Sequence, residues 1–277
     1  MLEKGLHPIG IFDSGYGGLT VFKEIVAELP EFDYIYLGDN ARTPYGTRSY
    51  EIVYQYTLEA VIALFNQGCH LIIIACNTAS AKALRTIQQK DLPKIDPHKR
   101  VLGVLRPSVE IIDRFTKSKR VGIVGTEGTV NSLSYVIEIN KYFPGIQVVQ
   151  EACPMWVPLV ENNEFNGPGA DYFVEKNVKN LLKKDDKIDA IILGCTHYPF
   201  LIPKIKQFLP DGITIISQDK IVAKSLKDYL NRHPEIESKC SKGRVRFYKT
   251  TGSLEMFNEQ GSKFLGYKIY AEKMELK

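Results

Sequence analysis

The feature that most constrains this chain is its rhythm: short β-branched and aliphatic runs alternate with amphipathic helical stretches almost throughout. Strands are expected at HPIGIF (7–12), DYIYLG (33–38), HLIIIAC (70–76), RVLGV (100–104), RVGIVG (120–125), IQVVQ (146–150), DAIILGC (189–195), ITIIS (213–217) and RVRFYK (244–249). Most read as continuous apolar runs, which suits strands buried on both faces of a parallel sheet. Helical patterns such as GGLTVFKEIVAEL (17–29) and SYEIVYQYTLEAVIALF (49–65) lie between them. Repeated strand–helix–strand units predict an α/β fold with helices covering mostly parallel sheets.

The pattern runs through twice. IGIFDSGYGG (9–18) matches VGIVGTEGTV (121–130), and LIIIACNT (71–78) matches AIILGCTH (190–197), in the same order and at similar spacing. DLPKIDPHK (91–99), with two prolines and mixed charge, is read as the linker between the passes. Helix 220–231 and strand 244–249 are read as a return to the first half. The expected domains are residues 1–99 with 218–277, and residues 100–217. A chain of 277 residues has room for two.

Other classes fall away on composition. The net charge of +4 is spread along the chain, whereas nucleic-acid binding usually needs a clustered basic stripe. KKDDK (183–187) mixes both signs and reads as a solvated helix end. No apolar run approaches the ~18 residues of a membrane span. Pro8, Gly10 and Asp13 interrupt any signal-peptide core, so a cytoplasmic protein is expected. The cysteines at 69, 76, 153, 195 and 240 are odd in number and form no CxxC pair, which predicts free thiols.

Each half places one cysteine at the C-terminal end of a strand, directly before a helix. Ligands bind at that edge of open α/β sheets. Helix N-termini bind anions and activate thiols, and Asn77 or Thr78, and Thr196 or His197, are expected to cap the helices at 79–90 and 199–208. Cysteine often merely fills space, which suits Cys69 and Cys240 and leaves Cys153 open. It explains Cys76 and Cys195 less well, because matched positions carry both. DSGYGG (13–18) lacks the third glycine of a nucleotide fingerprint, Thr20 standing there, and no P-loop exists. Its alternative use is a tight turn that brings Asp13 and Ser14 near Cys76. GDNARTPYG (38–46) is a turn-rich loop at another strand end, able to offer backbone N–H groups and the Tyr45 hydroxyl. His197 makes a lone C-x-H, weak for zinc; a Cys–His hydrolase dyad would leave Cys76 unexplained. Two opposed acid–base groups with neither a pyridoxal lysine nor a metal cluster in evidence suggest stereochemical inversion at an α-carbon. Thiols suit it because their pKa can be moved toward working pH.

IGIFDSGYGGLTV (9–21), GDNARTPYG (38–46), ACNTASA (75–81), EACPMWVPLVE (151–161) and LGCTHYPFL (193–201) closely resemble the glutamate racemases, from about residue 8 to about 265. His197 separates the chain from aspartate racemases, which typically carry Glu there. The resemblance implies two α/β domains related by a pseudo-twofold axis, with the active site in the cleft between them. It implies cofactor- and metal-independent interconversion of L- and D-glutamate for peptidoglycan synthesis. Cys76 would be the base for D-glutamate and Cys195 the base for L-glutamate, with Asp13 and His197 as their acid–base partners. Asp13, Ser14, Tyr45, Gly46, Asn77, Thr78, Thr196 and His197 would contact substrate. Glutamate is the expected partner and a homodimer the expected assembly, with no nucleic acid and no membrane. Glu151 receives no role, and Arg106 in GVLRPS (103–108) is an unexpected charge. A two-lobed amino-acid-binding protein and a racemase of another acidic amino acid, such as aspartate, are the alternatives.

Overall fold

Ten strands sort into two parallel sheets in a computed structural model that describes residues 5–276. They are β1 (Ile9–Asp13), β2 (Tyr34–Gly38), β3 (Leu71–Ile74), β4 (Arg100–Gly103), β5 (Arg120–Gly125), β6 (Gln147–Ala152), β7 (Ala190–Gly194), β8 (Thr214–Ile216), β9 (Arg246–Thr250) and β10 (Glu272–Lys273). One sheet runs β10-β9-β2-β1-β3-β4 and the other β6-β5-β7-β8. The core order 2-1-3-4 therefore recurs as 6-5-7-8, strand for strand. Two similar α/β units with parallel sheets are present, and β9 and β10 extend the first beyond β2.

The apolar runs explain the sheets. β1, β2, β3 and β7 are buried along their whole length, as strands covered by helices on both faces must be. Helix Leu19–Glu28 turns Leu19, Phe22 and Ile25 onto the first sheet, where Phe22 meets Tyr34, Tyr36 and Tyr248 edge-on. Burying one such ring contributes about 1.5–3 kcal/mol.

The linker expected at 91–99 is not one. Helix Leu92–Ile95 occupies it with Pro93 in the first turn, where a missing N–H costs nothing. The chain then enters β4, which pairs with β3 from Leu71↔Arg100 to Ile74↔Gly103. Residues 100–103 thus belong to the first sheet, past the boundary expected at residue 99. The crossing to the second sheet follows β4, through helix Leu105–Glu110 and the turn Ile112–Arg114 to β5. The return follows β8, where helix Asp219–Arg232 packs on helix Leu19–Glu28 before β9 rejoins the first sheet. Among the described residues no helix is long and apolar enough to cross a membrane.

Candidate active site

Cys76 follows β3 and Cys195 follows β7, so equivalent strands of the two sheets deliver the two thiols. Both are buried, 5% and 7% exposed. Cys76 caps its own helix, Asn77–Lys82: the Ala79 N–H donates to Sγ at 3.4 Å, the role expected of Asn77 or Thr78. The sulfur also donates to Ser14 Oγ at 3.5 Å. Burial first, and the Asp13 carboxyl second, push the Cys76 thiol up to about 12. It holds its proton in this conformation and is set as an acid.

Cys195 has a different neighbour. Its Sγ lies 3.7 Å from His197 Nδ1, and His197 Nε2 lies 3.0 Å from Glu161 Oε1. Burial alone would lower the imidazole pKa, but the bonds to Cys195 and Glu161 outweigh it and leave His197 at about 10. An imidazolium therefore stands beside Cys195 at neutral pH. No side chain caps the segment after it: a 3₁₀ turn, Tyr198–Leu201, leads into helix Ile202–Phe208, in place of one helix over 199–208.

Glu161 was not singled out in the sequence. It ends helix Trp156–Glu161 and the motif EACPMWVPLVE that Glu151 begins. Glu151 instead lies one residue before the end of β6 and accepts from Asn177 (3.0 Å), Asn180 (3.2 Å) and Lys184 (2.7 Å). Burial raises its pKa, but the Lys184 and asparagine bonds more than reverse that and lower it. Glu151 is a brace.

Asp13 is buried at the end of β1 and accepts from the Gly15 N–H at 2.9 Å. Thr196 Oγ1 donates to its other oxygen at 3.5 Å, across the cleft. Burial raises its pKa and the His197 charge opposes the rise. The direct partner of Cys76 is Ser14, and Asp13 senses both halves. Gly17 makes this approach feasible: a Cβ there would lie 2.3 Å from Thr196 Oγ1 and 2.5 Å from His197 Nδ1.

Further contacts join the halves. Thr78 Oγ1 is bonded to Thr126 Oγ1 at 2.8 Å and Thr129 Oγ1 at 3.3 Å. The Gly128 N–H donates to the Gly46 carbonyl at 2.7 Å. Tyr45 is 1% exposed and its hydroxyl donates to Asp39 Oδ2 at 2.5 Å, so the hydroxyl expected in the cleft is turned away and the backbone of this loop is what remains. Asn77 accepts from the Tyr135 hydroxyl at 2.8 Å, while its Nδ2 is buried with no partner among the described residues.

Outside this cluster, Cys69, Cys153 and Cys240 are buried free thiols, and burial pushes Cys240 up to about 12. A cavity of about 650 Å³ lies apart from the thiols, bordered by Arg85, Arg106, Glu138 and Lys141. Arg106 is half exposed there, 3.9 Å from Glu110 and 4.0 Å from Glu138, with its guanidinium over Tyr142. It touches neither thiol. Among the described residues no three His, Cys, Asp or Glu side chains are grouped to hold a metal ion.

Residues 9–226 match the family model described as Asp/Glu/Hydantoin racemase. A glutamate racemase of Listeria innocua is 38% identical over 252 residues, covering 91% of each chain. The structure is similar to that of a glutamate racemase isoform from Bacillus anthracis, with a TM-score of 0.88, 34% identity and 98% of each chain covered. It is also similar to a glutamate racemase from Francisella tularensis solved in complex with D-glutamate, with a TM-score of 0.87, 31% identity and 98% of each chain covered.

Proposed function

Because the chain belongs to the Asp/Glu/hydantoin racemase family, among its glutamate racemases, we propose that it interconverts L- and D-glutamate by two-thiol proton transfer at Cα. One observation carries the mechanism: equivalent strands of two similar sheets lead into two buried cysteines, and Thr196, the residue after Cys195, reaches Asp13, the neighbour of the Ser14 that meets Cys76.

In the L-to-D direction the Cys195 thiolate takes the α-hydrogen from one face. The electron pair of that C–H bond stays on Cα, beside the substrate carboxylate. Cys76, whose thiol is pushed up to about 12 by burial, delivers its proton to the opposite face. Cys195 leaves the step as a thiol and Cys76 as a thiolate, so protons and charge balance. The reverse reaction runs the same states backwards. His197, protonated up to about pH 10, is the group at 3.7 Å that can exchange protons with Cys195. Asp13 and Ser14 serve the Cys76 side.

Substrate carboxylates find donors in the Ser14 and Thr196 hydroxyls, Asn77 Nδ2, Thr78 and the backbone at Tyr45–Gly46. Asp13 is the anion available to the ammonium group. The bonds from Thr78 and Gly46 to the second half close the cleft over the substrate, and excluding water strengthens each of these interactions. The domains so closed are the first sheet through β4 with the chain from 218 onward, and the second sheet between them. The family likeness further supports a homodimer that works in the cytoplasm and supplies D-glutamate for peptidoglycan.

The test is to follow circular dichroism from either pure enantiomer. Glutamate signals should decay to zero from both sides, since enantiomers have equal free energy in water, while L-aspartate persists. A glutamate signal that stays constant in the presence of folded protein would point to an amino-acid-binding protein.

A further inference from the structure

Behind Asn77 runs a buried polar chain whose other members, Tyr135 and Gln218, the proposed reaction leaves unused. Gln218 stands directly before helix Asp219–Arg232, where the polypeptide returns from the second unit to the first. Its amide nitrogen lies 3.2 Å from the Val104 carbonyl and 3.0 Å from Ser108 Oγ, both at the outward crossing. The same nitrogen donates to the Tyr135 hydroxyl at 2.7 Å. Tyr135 in turn donates to Asn77 Oδ1 at 2.8 Å. All of these side chains are more than nine-tenths buried.

Tyr135 touches both cysteine motifs. Its hydroxyl holds Asn77, the residue after Cys76, and its ring lies against Gly194, the residue before Cys195, where a Cβ would meet Tyr135 Cε2 at 3.3 Å. With Oδ1 pinned to Tyr135, the Asn77 amide has one orientation, and its Nδ2 donor is left buried and without a partner among the described residues. A buried amide donor without an acceptor costs free energy. A substrate carboxylate would relieve that cost.

We infer that Tyr135 and Gln218 are positioning residues of the racemase site, which orient the Asn77 amide toward a substrate carboxylate and tie that orientation to the two chain crossings between the units. The inference rests on the glutamate racemase reading, because it needs a carboxylate in the cleft. Gln218 supplies a donor to Tyr135, so the tyrosine hydroxyl's own hydrogen is committed to Asn77. An alternative orientation of Asn77 would set its NH₂ against the tyrosine oxygen and turn an oxygen toward the carboxylate.

The experiment compares kcat and KM for L- and D-glutamate in wild type, Tyr135→Phe, Asn77→Ala and the double variant. Tyr135→Phe keeps the ring against Gly194 and removes only the hydroxyl. An amide that binds the carboxylate equally in ground and transition states acts on KM alone. The expected result for Tyr135→Phe is therefore a KM raised roughly ten-fold for both enantiomers with kcat within about two-fold of wild type. In the Asn77→Ala background the same substitution should add less than about two-fold, because its target is gone. A merely structural hydroxyl would instead act independently of Asn77. If Tyr135→Phe does not fold, Gln218→Met, which preserves volume and removes the donor, should raise KM less than Tyr135→Phe is expected to, and again only when Asn77 is present. Wild-type KM in the folded variant, an undiminished effect without Asn77, or a silent Asn77→Ala would overturn the inference. Failure of the glutamate racemase reading is distinct, since it shows in the wild-type protein before any variant is made.

Discussion

Replacing Gly17 with alanine puts a methyl group where the second half of the molecule presses its Thr196–His197 loop. The new Cβ would lie 2.3 Å from Thr196 Oγ1, 2.5 Å from His197 Nδ1 and 2.6 Å from His197 Cε1, whereas ordinary contact begins at 3.4 Å. The Thr196–His197 loop must retreat by about 1 Å, a misplacement that can cost about 10²-fold in rate. The retreat cannot be absorbed by the histidine ring alone. His197 is held between Cys195 and Glu161 and packs edge-on against Phe264. Overpacking of this kind destabilises a fold by about 1–3 kcal/mol, so the variant should still be folded at room temperature. The assay is the initial rate of dichroism loss from saturating L- and D-glutamate, with the thermal midpoint measured on the same preparation. Gly145→Ala, where a Cβ meets nothing within 4 Å, is the control and should match wild type. A folded Gly17→Ala protein with wild-type kcat would refute the claim that the glycine turn sets the position of His197.

Further outcomes follow from the same geometry. Cys76→Ala and Cys195→Ala should each abolish racemisation in both directions, while Cys69→Ala and Cys240→Ala keep near-normal rates; substantial turnover by either of the first two would break the two-base assignment. Thr78→Ala removes the hydroxyl bonded to Thr126 and Thr129 and should lower kcat/KM for glutamate about ten-fold, the worth of one good hydrogen bond; an unchanged value takes Thr78 out of the site. The His197 pKa rises on folding from 6.5 to about 10, so its stabilisation is complete below pH 6.5 and lost as pH climbs through about 10. Glu161→Gln removes an anion that favours the imidazolium, so the His197 titration followed by NMR should move to lower pH, and an unmoved titration would discharge Glu161 from that role.

The strands were legible because nine apolar runs of the right length alternate with helical patterns, and each became a strand within a few residues. β10 was not, because two exposed residues, Glu272 and Lys273, pair with β9 at the sheet edge and carry no apolar signal. The misread linker had a physical cause: Pro93 breaks a helix interior but is welcome in a first turn, and sequence alone does not say where turns begin. At the site, Cys76 and Cys195 were legible from the repeat. Glu161 was not, since a glutamate at the end of an apolar helical run looks like any solvated helix end, and only its 3.0 Å contact with His197 distinguishes it. Tyr45 had the reverse fate: its place in a cleft loop was readable, but the buried Asp39 that claims its hydroxyl lies six residues earlier and gives no periodic signal.

The account's central claim, two thiols working on opposite faces of one α-carbon, is tested most directly by where deuterium goes when L-glutamate is converted in D₂O. Thiol hydrogens exchange with solvent, so the thiol that protonates the second face carries deuterium, while the hydrogen taken from the first face stays on the other sulfur. The account predicts that the first D-glutamate formed carries deuterium at Cα, while the remaining L-glutamate stays largely protiated until the reverse reaction sets in. D-glutamate that retains its original α-hydrogen at early times would mean that a single base carries one proton between the faces, and would contradict the two-thiol site.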